Sequence, residues 1–201
     1  MDALTRFVAL DEPGRMSHKT FLFGVIAAAL LIPATPANAC DPIVSEGTFG
    51  PWQEGAVAVT YDQTLAPAGS RARVVLGGDD QRTTAILNVT GLLPNRVYGT
   101  HAHRNACGAK AADSGFHYQN VEDPNAKDKM SMDARYANPR NELWLDFTTD
   151  DHGNATQVVT VDWAFRPNQP GAIVLHEKKT DTTDGNAGMA GARVACLSIQ
   201  R

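Results

Sequence analysis

The chain has 201 residues, a formal net charge of −4, 43% hydrophobic and 20% charged residues. That is the size and composition of one globular domain, or of one domain with a tail. The mild acidity gives no sign of a basic surface for nucleic acid or for an anionic membrane, and an anionic substrate would need local rather than global attraction.

The N-terminus reads as a secretory leader. Residues 21–32 (FLFGVIAAALLI) are an unbroken apolar run, too short to span a bilayer comfortably. His18 and Lys19 precede it, and Ala37-Asn38-Ala39 follows as an A-x-A cleavage site. Residues 1–39 are therefore expected to be a signal peptide, with Met16 as an alternative start, because Asp2, Asp11 and Glu12 dilute the positive end. Export places the mature protein in the periplasm, at the cell surface or outside the cell. Cys40, directly after the cleavage site, is a candidate for lipidation and membrane attachment, although Ala37 stands where lipid-attachment signals carry Leu. Of three cysteines in an oxidising compartment, one is left over.

Residues 40–55, rich in Gly, Pro and Glu, are expected to be a tail, and residues 56–201 the domain. Short β-rich runs follow one another at 56–61, 71–76, 83–89, 97–103, 142–148, 155–163, 172–176 and 192–199. Asp150-Asp151-His152-Gly153-Asn154 is a hairpin signal between the fifth and sixth. With no amphipathic helix, the expected architecture is all-β: eight antiparallel strands in a sandwich or barrel. The polar stretch 104–140 is the anomaly, since a long loop in a compact domain is usually functional.

Five histidines remain after the leader. His101 and His103 stand two apart on a predicted strand and so point to the same side. His117 follows in the polar stretch, and His176 ends an apolar run. Imidazole suits copper, zinc, iron and nickel, and an all-imidazole set favours copper(II) on affinity order. His152 sits in the hairpin turn and is expected at the surface.

The motifs run in the order Gly99-Thr100-His101-Ala102-His103, Cys107, Gly115-Phe116-His117, Gly171 to Glu177 (GAIVLHE), Gly185-Asn186-Ala187-Gly188, and Gly191 to Cys196 (GARVAC). Over residues 56–201 this order resembles the copper/zinc superoxide dismutase family. The resemblance implies a Greek-key β-fold, superoxide as substrate and a copper centre. His101, His103, His117 and His176 match the copper ligands, His117 being the one that bridges to zinc in two-metal members. Arg193 matches the arginine beside the copper that attracts superoxide, and Cys107 and Cys196 match the intrasubunit disulfide.

The sequence departs from that family at the zinc site. No histidine lies between His117 and Glu142, and zinc prefers four ligands. The pattern resembles the copper-only branch, and zinc is expected to be absent. His117 then needs another partner for its second nitrogen. Glu142 is the expected acceptor and Asp146 its competitor. The segment between His176 and Arg193 is short, which implies an open copper and heavier reliance on Arg193. Asp181 and Asp184 within it are read as part of a solvated charge cluster, with a bond from one of them to a copper ligand as the alternative. The rival reading is an exported copper-binding or copper-delivery protein on the same fold.

Overall fold

The computed structural model describes residues 40–126 and 130–201. The expected leader, with Met16 and the apolar run, lies outside them. Nine strands form: β1 (Cys40–Thr48), β2 (Ala58–Thr60), β3 (Arg71–Gly78), β4 (Thr83–Thr90), β5 (Val97–His103), β6 (Phe147–Thr148), β7 (Ala155–Val161), β8 (Ala172–His176) and β9 (Arg193–Ser198). One 3-10 turn, Ala111–Ser114, is the only helical element among the described residues. The strands make two antiparallel sheets, ordered β1-β3-β4-β7 and β2-β9-β8-β5-β6. They are a sandwich rather than one closed barrel.

Alternation builds the core. Ala72, Val74 and Leu76 of β3 and Ala85, Leu87 and Val89 of β4 are buried, and the residues between them are exposed or half-buried. These inward rows meet Tyr98 and Ala102 of β5, Ile173 and Leu175 of β8, and Ala195 and Leu197 of β9. Such two-sheet burial is the ordinary source of stability for a sandwich.

Two expectations are corrected. Residues 40–48 are not a tail but strand β1, running antiparallel to β3 from Ile43–Leu76 to Thr48–Arg71. Pro42 suggested otherwise, yet it sits where the register shifts between Cys40 and Ile43, on an edge strand that tolerates a missing N–H. Phe49 is buried in the core and Ser45 accepts a hydrogen bond from the Gln200 N–H, so the folded unit includes this segment. The run 142–148 alternates as expected, with Leu143, Leu145 and Phe147 in the core. Only Phe147–Thr148 forms a ladder strand, however. The preceding residues divide their pairing, Trp144 bridging to His101 and Glu142 to Gln119. This makes nine strands among the described residues, where eight were expected.

β5 and β8, like their sheet partners β2 and β9 and unlike the alternating β3, β4 and β7, are buried on both faces; every residue of β8 is buried. The outward face of these two central strands is therefore covered by chain, and the histidines lie under that cover.

Candidate metal centre

Tyr98 and Ala102 of β5 enter the core, so His101 and His103 face the other way. The chain then doubles back. The Arg104 N–H donates to Phe116 O (3.0 Å) and the Tyr118 N–H to Ala102 O (2.8 Å), which sets His117 opposite His103. The anomalous stretch 104–140 thus carries one member of the cluster. His176 ends β8 on the same outward face. A β-bulge lies beside it: Leu175 pairs with Ala195 but His176 pairs with Arg193, leaving Val194 as the extra residue. Val194 drops into the core, and Arg193 turns outward next to His176. Bulges re-aim side chains in this way near functional sites.

The four imidazoles converge. One ring nitrogen from each of His101, His103, His117 and His176 lies within 4.8 Å of the others, and all four residues are buried. Their hydrogen bonds fix which nitrogen carries the proton. His103 Nδ1–H donates to Gly115 O (3.0 Å), His176 Nδ1–H to Gly191 O (3.3 Å), and His117 Nδ1–H to Glu142 Oε2 (2.9 Å). His101 is reversed: its Nε2–H donates to Thr180 Oγ1 (2.6 Å), whose own hydroxyl donates to Asp146 Oδ1 (2.7 Å). The unprotonated nitrogens are therefore Nδ1 of His101 and Nε2 of the other three. Nδ1 of His101 and Nε2 of His117 are buried with no hydrogen-bond partner, and the Nε2 atoms of His103 and His176 face each other at 3.3 Å. Four lone pairs aimed at one point in a buried site suit a cation and little else.

Burial, and after it the neighbouring imidazoles, push His101 and His103 well below the usual histidine range, and push His176 down to about 3. His101, His103 and His176 are thus neutral at neutral pH, the form that binds metal.

Second contacts hold each ring. Glu142 is almost fully buried and accepts from three donors: His117, Trp144 Nε1–H (2.7 Å) and Gln119 Nε2–H (2.8 Å). Asp146 does not compete for His117. It accepts from the backbone N–H groups of Thr100 (3.0 Å) and Thr180 (2.9 Å) and serves His101 through the Thr180 hydroxyl. Asp181 bonds Thr183 and touches no histidine. Gly115 and Gly188 have positive φ, which favours glycine. A side chain on Gly188 would lie 3.6 Å from His117 Nδ1. The loop from Thr180 to Gly191 thus contacts two of the four rings, His101 and His176, and passes close to a third, His117.

Arg193 is half-buried, and burial lowers its affinity for its proton, though a guanidinium stays charged. It donates to Ala111 O (2.8 Å), Ser114 Oγ (3.2 Å) and Gly115 O (2.6 Å). The Gly115 carbonyl therefore ties the cation to His103. These bonds engage three of the five N–H donors. Cys107 and Cys196 form a disulfide across 89 residues, joining the returning loop to β9. His152 is exposed in its turn, beside Asp151.

Sequence reasoning missed Thr180, Trp144 and Gln119. Trp144 and Asp146 stand two and four residues after Glu142, and the same-face rule that paired His101 with His103 would have grouped them. Nothing in the sequence marks Thr180 or Gln119, which depend on where two loops land.

No protein-family model and no curated protein sequence matches the chain. Among solved structures it is similar to the Cu/Zn superoxide dismutase from Brucella abortus, at 17% identity and a TM-score of 0.53, covering 80% of this chain and 100% of that one. It is also similar to the clock protein EA4, at 20% identity and a TM-score of 0.49, covering 83% and 96%. The fold is therefore one that a copper/zinc superoxide dismutase adopts, and on it this chain carries a four-histidine cluster able to hold a metal.

Proposed function

We propose that the chain is an exported, copper-dependent superoxide dismutase that works without zinc. The observation that carries this reading is the convergence of four unprotonated imidazole nitrogens, with Arg193 bonded to the same carbonyl as His103. His101 Nδ1 and the Nε2 atoms of His103, His117 and His176 would hold the metal. An all-imidazole set fits copper, and the disulfide fits an oxidising compartment.

Zinc does not fit. A second metal would need His117 Nδ1, which is committed to Glu142, and both Glu142 oxygens already accept N–H donors. Gln119 is equally engaged, its oxygen accepting from the Asp123 N–H (3.2 Å). Breaking this buried network would leave several polar groups unpaired, at about 1–3 kcal/mol each.

When bound, copper supplies the one-electron chemistry that oxidises one superoxide to oxygen and reduces the next to hydrogen peroxide. The chain's residues do the rest. Arg193 attracts the anion locally, which a chain of net charge −4 requires. Its two remaining N–H donors orient the anion toward the cluster. His117 keeps its proton on Nδ1, bonded to Glu142, so Nε2, when it is not holding the metal, would be the atom at which a proton is taken up and passed on. Metal storage or delivery has no use for a half-buried cation beside the ligands, which favours turnover over that alternative.

The test is to purify the exported protein, determine its copper and zinc content, and measure superoxide consumption with and without copper. Copper-dependent consumption with no zinc requirement is expected. Tight copper binding with no consumption would assign the chain to copper binding or delivery. Failure to retain copper would remove the metal reading altogether.

A further inference from the structure

We propose that Trp144 is a positioning residue of this centre: its indole N–H shares the Glu142 oxygen that holds His117, and so limits how strongly His117 donates to the metal. The inference rests on the copper reading above and extends it to a side chain that touches no metal.

Trp144 meets two of the four histidines by different means. It bridges to His101 along the backbone, and its ring lies edge-on to the His101 imidazole, with centroids 5.7 Å apart. Its Nε1–H donates to Glu142 Oε2 at 2.7 Å, the atom that also accepts from His117 Nδ1–H at 2.9 Å. The other carboxylate oxygen serves Gln119 alone. A buried aromatic at this position needs no polar atom for packing, and the nearby core uses Leu143, Leu145 and Phe147. An indole N–H once buried needs an acceptor, and the one it has is the carboxylate behind a metal ligand.

The consequence follows from competition for charge. A carboxylate oxygen with two donors divides its negative charge between them. With the indole removed, that charge falls on His117 Nδ1–H alone. The bond shortens, electron density moves through the ring, and Nε2 becomes a stronger donor. A stronger donor stabilises copper(II), the more highly charged state, over copper(I). Trp144 therefore holds the reduction potential up. A dismutase must both accept and return an electron at similar cost, so this moderation serves the same reaction.

The decisive variant is Trp144→Phe, which keeps a ring against His101 and deletes the donor. Gln119→Met removes the donor on the other oxygen and serves as the graded comparison. In the metal-free, nitrogen-15-labelled protein, the His117 Nδ1–H resonance should move downfield in Trp144→Phe, and less in Gln119→Met. In the copper-loaded protein, the midpoint potential should fall in the same order. An unchanged resonance and potential would overturn the proposal. So would a rise in potential, which is what mere loosening of the site gives by favouring the less demanding copper(I). If Trp144→Phe fails to fold, replacing the indole N–H by sulfur, with benzothienylalanine at position 144, keeps the shape and asks the same question. Neither readout needs superoxide turnover, so loss of the dismutase reading and loss of this one are separable.

Discussion

Replacing Glu142 by Ala is the sharpest perturbation of the site. Three buried donors, His117 Nδ1, Trp144 Nε1 and Gln119 Nε2, lose their acceptor together. Each orphaned group costs about 1–3 kcal/mol. Against this, the variant no longer buries a carboxylate, whose desolvation costs several kcal/mol even after relaxation. The two effects oppose each other, so the fold should survive with a modest change in stability. Copper binding has no such offset. His117 loses what fixes its tautomer and ring orientation, and loss of such a partner typically weakens metal binding by about 10–100-fold. That is about 1.4–2.7 kcal/mol. Glu142→Gln keeps the shape and one carbonyl oxygen for His117 and Trp144, and loses the charge. It should fall between wild type and Glu142→Ala, at less than about tenfold. The assay is competition for copper against chelators of graded affinity, with circular dichroism to confirm folding. Wild-type affinity in Glu142→Ala, or equal losses in Ala and Gln, would refute the reasoning.

Three further outcomes are expected. Arg193→Ala should slow superoxide consumption severalfold or more and flatten its dependence on ionic strength, because salt screens the attraction that is lost; an unchanged rate at full copper loading would remove Arg193 from the reaction. Thr180→Val leaves the buried His101 Nε2–H facing Asp146 Oδ1 at 3.8 Å, too far for a hydrogen bond, so copper affinity should drop by about tenfold at most if one hydrogen bond is worth about 1 kcal/mol; a larger loss would mean that Thr180 holds more than one ring. Replacing Cys107 and Cys196 together by Ser frees a loop spanning 89 residues, which chain entropy values at about 4–5 kcal/mol; denaturant unfolding that matches wild type would show that the loop is held by other contacts.

The sequence made the outward-facing chemistry legible wherever strand alternation decides it. His101 and His103 share a face because side chains repeat every two residues, whereas Glu142 stands out in the sequence only through the family resemblance. The strands that follow alternation, such as β3 and β4, were visible at nearly their observed bounds. β1 was not, because Pro42 and Gly47 belong to an edge strand whose partner lies some 30 residues away. The Trp144 ring was ambiguous between core and interface, since an aromatic carries the same hydrophobic signal in either place. Thr180 was invisible because its role depends on the loop to Gly191 folding over β5 and β8. The bulge at Val194 is likewise a property of pairing, and without it Arg193 would alternate into the core.

The electrostatic asymmetry of the cluster follows from these placements. Behind His117 lies the buried Glu142 carboxylate, and behind His101 lies Asp146, relayed by Thr180. His103 and His176 instead donate to neutral carbonyls, those of Gly115 and Gly191. Arg193 shares the Gly115 carbonyl and pairs with His176 across the strands, so the cation belongs to the uncharged half of the ring set. Negative charge behind two ligands and positive charge beside the other two create a field across the metal position. On the proposed function, an anion would be led to the Arg193 side of this field and away from the Glu142 side, so the hydrogen-bond partners of the histidines would set its direction of approach.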